Sequence, residues 1–130
     1  MQGETVAIRE EHAKDAPGVR EVNERAFDGP GEARLVAALH AAGRVVVSLV
    51  ALRGERIVGH ILFSTVTIDD QPGASKIVGL APMAVLPDCQ RQGIGIALVR
   101  RGLELCDLGG HVEVAVFGLA DGRLGCCQVA

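Results

Sequence analysis

The sequence predicts one α/β domain, a mixed β-sheet flanked by helices in the order βααβββαβ. Three observations carry that expectation. The chain has 130 residues, the ordinary size of a single domain, and 1–130 reads as one unit without repeats, low-complexity tracts or linkers. Hydrophobic residues make up 48% and charged residues 22%, the balance of a chain that folds rather than one that stays disordered. Its apolar residues alternate with a period of two in some segments and recur at helical spacing in others, and the two kinds of segment are interleaved.

Residues 6–9 read as a short first strand. Asp15 and Pro17 then mark a helix start, with Val19, Val22 and Ala26 at helical spacing up to Phe27. The run Asp28-Gly29-Pro30-Gly31 breaks that helix, and a second follows with Leu35, Val36, Leu39 and Ala42 on one stripe and Gly43 placed to end it. Residues 45–52 are rich in β-branched side chains, and Arg53-Gly54-Glu55 turns the chain into a second arm over residues 56–68. That arm sets Val58, His60, Leu62, Ser64 and Val66 on one face and Ile57, Ile61 and Phe63 on the other. Both faces are largely apolar, as in a central strand covered on both sides.

A polar loop, Asp69-Asp70-Gln71-Pro72-Gly73, precedes a fourth strand over Ile77–Val85. Pro82 cannot donate to a sheet ladder, so its place inside that strand predicts a bulge or a splayed stretch. Past Pro87 the chain enters a helix with Ile94, Leu98 and Leu105 inward and Arg100, Glu104 and Asp107 outward, which Gly109-Gly110 stops. Residues 111–117 form a fifth strand, and nothing regular is expected over 118–130.

A net charge of −3 supplies no broad basic field for nucleic acid or an anionic membrane. Without a long apolar run or a signal-peptide start, the expected location is the cytoplasm. The four cysteines, Cys89, Cys106, Cys126 and Cys127, form no CxxC pair and have no histidine at zinc-finger spacing, so free thiols and no metal are expected.

Gln90-Arg91-Gln92-Gly93-Ile94-Gly95 lies between a strand and an amphipathic helix. A helix N-terminus offers unpaired amides and the positive end of the macrodipole, and glycines let a phosphate reach those donors. Arg91 adds charge at the rim, while Gln90 and Gln92 offer further donors. The same glycines also suit a plain strand-to-helix turn. A P-loop would need GxxxxGK[ST], and the dinucleotide fingerprint a third glycine where Leu98 stands, so neither fits.

The segment Leu80-Ala81-Pro82-Met83-Ala84-Val85-Leu86-Pro87, followed by Gln90 to Gly95 in the pattern [RQ]-x-x-G-x-[GA] and by Ala97-Leu98, resembles motif A of the GNAT N-acetyltransferase superfamily. The resemblance covers nearly all of residues 5–117, including Gly31-Glu32-Ala33-Arg34-Leu35-Val36 and Val58-Gly59-His60, and the chain is similar to the small bacterial, YhbS-like members. It implies acetyl-coenzyme A in a wedge between the fourth and fifth strands. The backbones of Met83, Ala84 and Val85 would pair with the pantetheine arm like an added strand. The pyrophosphate would meet the amides of Arg91, Gln92, Gly93, Ile94, Gly95 and Ile96. The implied reaction is acetyl transfer to the amine of a small molecule or peptide. The alternative is a coenzyme A-binding module with little catalysis.

Transfer to an amine needs a base, an oxyanion donor and an acid for the leaving thiolate. The fourth strand holds no carboxylate, although some GNATs place their base there. His60, alone on an apolar strand, reads as a packed and hydrogen-bonded core residue before a base, and Glu24, Glu32 and Glu113 as solvated charges before catalysts. The catalytic groups therefore stay unassigned. Many GNATs protonate the thiolate with a tyrosine, and this chain has none. Its residues 118–130 diverge from the family's C-terminal helix and strands, which reads as an altered or truncated end that slows turnover. Such an end would leave the fifth strand as an apolar edge, for which a homodimer or the tail itself is the expected cover.

Overall fold

The computed structural model describes residues 5–65, 77–110, 113–116 and 125–128. Its elements run β1 (Val6–Glu10), α1 (Ala16–Phe27), α2 (Gly31–Ala41), β2 (Val45–Arg53), β3 (Arg56–Thr65), β4 (Ile77–Val85), α3 (Ile94–Leu108), β5 (Glu113–Val116) and β6 (Gly125–Gln128), with short 3-10 turns at Ala13–Asp15 and Pro87–Cys89. All six strands form one sheet in the order β1-β2-β3-β4-β5-β6. Every neighbouring pair is antiparallel except β4 and β5, which α3 connects as a parallel crossover. The mixed α/β class and its order are as expected, with β6 added.

Local chemistry sets the ends of the elements. Asp28 takes a left-handed conformation (φ 53°) and returns its N–H to the Glu24 carbonyl, closing α1 one residue after Phe27. Gly43, at φ 68°, follows the end of α2. The β2–β3 hairpin places ten-residue β3 at the centre of the sheet, where Val58, Ile61, Leu62 and Phe63 are fully buried. Residues 66–68 of the expected longer arm lie outside the described residues.

Opposite faces of β3 receive different helices. A Cβ on Gly59 would lie 3.1 Å from a Leu98 methyl of α3, whereas the next residue, His60, meets Asn23 of α1. Successive strand residues point to opposite faces, so α1 and α3 sandwich the sheet. The buried stripe of α3 is Ile94, Leu98, Gly102 and Cys106. Leu105, expected to point inward, is only half-buried. Gly102 takes a core position because a Cβ there would overlap the Phe63 ring, so the stripe follows the ring's bulk rather than side-chain hydrophobicity.

The edge of β5 left open by the sequence reading is occupied. β6 pairs with it from Glu113↔Gln128 to Val116↔Gly125, so the edge that suggested a homodimer is covered by the chain's own tail. Residues 111–112, 117–124 and 129–130 lie outside the described residues.

Candidate functional site

Pro82 breaks the sheet where the sequence said it would. Ile61 pairs with Met83 and Phe63 with Leu80, so Ala81 and Pro82 together face Leu62 in a bulge. On its other side β4 pairs with β5 only from Ile77 to Leu80. Beyond Leu80 the strand continues to Val85 with β3 on one edge and no strand among the described residues on the other. A wedge opens there.

Backbone direction within that stretch follows from one bond. The Leu86 amide donates to the Val58 carbonyl at 2.9 Å, so Leu86 faces β3 and, by alternation along the strand, so does Ala84. Met83 and Val85 therefore turn their amides and carbonyls toward the wedge. Ala84, between them, is fully buried and paired opposite His60. The Val85 carbonyl is already engaged: Gln90 Nε2 donates to it at 3.0 Å. Gln90 thus braces the strand end from the cavity wall.

The chain then turns through Pro87–Cys89, and Arg91 (φ 65°) and Gly93 (φ 84°) both adopt left-handed conformations before α3 begins at Ile94. Glycine takes φ > 0 without strain. No side chain caps α3, and the first returning bond is from the Ala97 amide to the Gly93 carbonyl at 3.0 Å. The amides of Ile94, Gly95 and Ile96 are consequently without acceptors among the described residues, at the positive end of a 15-residue helix.

These parts meet in one cavity of about 570 Å³, with Met83, Val85, Gln90, Arg91, Gly93, Ile94, Gly95 and Ile96 in its wall. Gln92, the other candidate besides Ala84 that stays out, turns away and accepts a 2.8 Å bond from Arg53 Nη2. Cys89, Val99 and Arg100 complete the wall. Arg100 was legible only as an outward charge, and its helical offset from Ile96 was the overlooked signal. The wall contains two arginines, Arg91 and Arg100, and no carboxylate. Gly95 lets the helix end approach the strand, since a Cβ there would stand 3.3 Å from Met83 Sδ.

The acetyltransferase (GNAT) family model matches residues 6–119. The chain belongs to the GNAT family. It is 41% identical over 108 residues to YjhQ, an uncharacterized N-acetyltransferase of Escherichia coli K12, matching 82% of this chain and 60% of that protein. With E. coli YhbS, also an uncharacterized N-acetyltransferase, it shares 34% over 112 residues, 85% of this chain and 66% of YhbS. The chain thus spans less than two-thirds of these relatives' length. Among solved structures, a GNAT acetyltransferase from Brucella melitensis in complex with acetyl-CoA superposes with a TM-score of 0.81 at 37% identity, covering 88% of this chain and 77% of that one. YhbS in complex with CoA gives 0.82 at 32%, covering 91% and 65%.

The catalytic candidates of this GNAT domain do not gather at the wedge. His60 is fully buried on the α1 face. Asn23 Nδ2 donates to the Val19 carbonyl at 2.9 Å, which fixes the amide's orientation, and it lies 3.2 Å from His60 Nδ1. Nδ1 is therefore the acceptor, so Nε2–H donates to Ser48 Oγ at 3.0 Å, and Ser48 Oγ in turn donates to Glu11 Oε1. Burial holds the His60 pKa below its ordinary value despite the pull of Glu11. Burial would raise Glu11, but the adjacent His60 imidazole and the Ser48 hydroxyl outweigh it and bring the carboxylate down to about 2. Neutral imidazole and ionised carboxylate suit this direction of donation. The expectation that His60 is a hydrogen-bonded core residue is met. Glu24 and Glu32 are half-buried on α1 and α2, outside the cavity wall, and the Glu113 side chain lies outside the described residues. Cys89 and Cys106 are free and buried. Among the described residues no cluster of His, Cys, Asp or Glu could hold a metal, and no helix is long and apolar enough to cross a membrane.

Proposed function

We propose that this chain binds acetyl-coenzyme A in the wedge and carries the transferase half of an N-acetyltransferase whose acceptor is the amine of a small molecule or peptide. The observation that supports it is the conjunction of uncapped α3 amides and the turned-out backbone of Met83 and Val85 in one cavity whose only charged side chains are arginines. The donor set fits the cofactor. A pyrophosphate needs several converging N–H donors and positive potential, which Ile94, Gly95, Ile96, Arg91 and Arg100 provide. A pantetheine amide needs an unpaired strand edge, which Met83 and the Val85 amide provide, while Gln90 closes the last carbonyl. Bound there, acetyl-coenzyme A supplies an activated thioester. The exposed faces of Ile96 and Val99 offer apolar contact beside the phosphates.

Nothing in the described residues assigns the base. His60 is held neutral, yet it is walled off on the opposite face of the sheet, so it does not receive a proton from an amine at the wedge. The relatives' names, all N-acetyltransferases, support catalysis over a silent binding module. The test is paired: titration of the chain with coenzyme A by calorimetry, and thiol release from acetyl-coenzyme A with a panel of amines. Coenzyme A binding abolished by Gly93→Val, together with amine-dependent thiol release, supports the proposal. Unchanged affinity in Gly93→Val overturns the placement.

A further inference from the structure

A second cavity, of about 710 Å³, lies on the α1–α2 face and has Glu11, Arg20 and His40 among its polar residues and Val19, Val36 and Ala37 among its apolar ones. It stands apart from the wedge. Glu11 follows β1 directly and its amide bonds to the Ser48 carbonyl of β2 at 2.9 Å, which puts the cavity's polar end two strands from β4 and on the face opposite α3.

Glu11 is the unusual wall residue. Its side chain is 8% exposed, and one oxygen, Oε1, takes every bond the carboxylate makes: Ser48 Oγ and His40 Nε2, the latter at 3.1 Å, with His60 Nε2 at 3.7 Å. The other oxygen, Oε2, has no partner among the described residues. Oε2 is not among the side-chain atoms sealed from solvent without a partner, so it is hydrated when the cavity is empty and free to exchange water for a stronger donor. Here the vacant acceptor belongs to a residue that lines an apolar cavity.

We propose that this cavity binds a primary amine with a single ammonium head and an apolar body, the head on Glu11 Oε2 and the body along Val19, Val36 and Ala37. A charged N–H donor gains most from an ionised acceptor in a place of low dielectric. Ordinary alkylamines are protonated at neutral pH, as the lysine side chain is. Arg20 on the same wall selects for one head, since a second ammonium would meet its guanidinium. His40, 42% exposed, lies against Oε1 and leaves Oε2 to the ligand. This site is independent of the cofactor wedge and holds or fails without it.

The experiment is calorimetric titration of the full chain with phenethylamine, 2-phenylethanol and spermidine, without acetyl-coenzyme A. Phenethylamine should bind at one site per chain, at least tenfold more tightly than the alcohol and more tightly than spermidine. Ala37→Phe fills the cavity from an exposed helix position, so it tests the place without touching the buried bonds. It should cost phenethylamine at least tenfold and leave the coenzyme A titration unchanged, while Glu11→Gln should weaken the amine and spare the alcohol. Equal affinity for amine and alcohol, tighter spermidine, or phenethylamine binding that Ala37→Phe does not alter would overturn the proposal.

Discussion

The two faces of the sheet treat their polar groups in opposite ways. On the α1 side, Asn23, Ser48 and His60 come from three different elements and bond one another in a continuous chain ending on Glu11, with Asn23 Oδ1 the one buried side-chain atom left without a partner among the described residues. On the α3 side, the first turn of the helix and the edge of β4 leave backbone donors without partners, and side chains close only the margins, through Gln90 and Arg53. Buried polar groups that are mutually satisfied stabilise and specify a fold. Open donors beside a cavity are stable only because water or a ligand replaces the missing acceptor. The contrast separates what holds this molecule together from what it offers to a partner, and it can be broken from either side.

The largest expected effect is on the closed side. His60→Leu keeps the volume but leaves the Ser48 hydroxyl and one Asn23 amide proton without their imidazole partner. Two buried hydrogen bonds lost at roughly 1–3 kcal/mol each give a loss of about 2–6 kcal/mol, a large share of a stability of about 5–15 kcal/mol. Urea unfolding at neutral pH measures it. Coenzyme A affinity, read where the variant is still folded, should stay within about twofold, well under the tenfold that 1.4 kcal/mol represents. A His60→Leu protein as stable as the parent would mean that the buried chain contributes nothing.

Ile96→Glu is the reciprocal experiment. Ile96 is 63% exposed and sits in the first turn of α3. A carboxylate there complements the helix dipole and does not disturb the fold, but it occupies the field a pyrophosphate would use. Coenzyme A affinity should fall by about tenfold or more, or at least 1.4 kcal/mol, while the unfolding midpoint stays level or rises. A loss of stability in parallel would show that the helix end is structural after all.

Acid should act on the closed side by degrees. His60 has a lowered pKa in the fold because it is buried, so the unfolded chain binds a proton the native one refuses, and stability falls as the pH drops below about 6.5. Glu11 and Asp15 are lowered to about 2 from 4.5 and 3.8, Asp15 chiefly by its hydrogen bonds from Arg9. Their contribution is complete above the ordinary carboxylate range and disappears as the pH falls toward 2. Urea midpoints measured from pH 7 downward should therefore decline monotonically, and in His60→Leu the part of the decline between pH 7 and 5 should vanish. A midpoint flat from pH 7 to 5 in the parent would contradict a neutral, buried His60.

How much of this was legible in the sequence follows the same division. The open side was readable because its information is local: Pro82 forecast the bulge, and Gly93 and Gly95 ahead of an amphipathic helix forecast the uncapped end. What escaped was direction. Spacing does not say that Gln90 reaches back to Val85 or that Ala84 faces β3. The closed side was nearly invisible, because Glu11, Asn23, Ser48 and His60 are joined only by tertiary structure and no spacing encodes their meeting. His60 alone raised a question, as a polar residue on an apolar strand. In α3, counting only large apolar side chains selected Leu105 over Gly102 and Cys106, although the space beside Phe63 admits no side chain. β6 went unread because Gly125, Cys126, Cys127 and Gln128 show no alternation of apolar and polar residues.

The smallest effect sharpens the open side further. Arg53, at the end of β2, donates to Gln92 Oε1 at 2.8 Å and lies 3.7 Å from Cys89 Sγ, so it ties the loop to the β2–β3 hairpin from outside the cavity. The Gln92 bond is exposed, and exposed hydrogen bonds contribute at the low end of about 0.5–1.5 kcal/mol. If the loop's shape is set by its own backbone, through the left-handed conformations of Arg91 and Gly93 and the Gln90 brace, this tie is redundant. Arg53→Ala should then weaken coenzyme A by about two- to threefold and leave stability unchanged, since about 0.5 kcal/mol corresponds to little more than a factor of two. Gln92→Ala should match it, and the double variant should be no worse than either single one, because both remove the same bond. A tenfold loss in Arg53→Ala alone would mean that the guanidinium itself serves the anion, and that the cradle extends past the helix end to the hairpin.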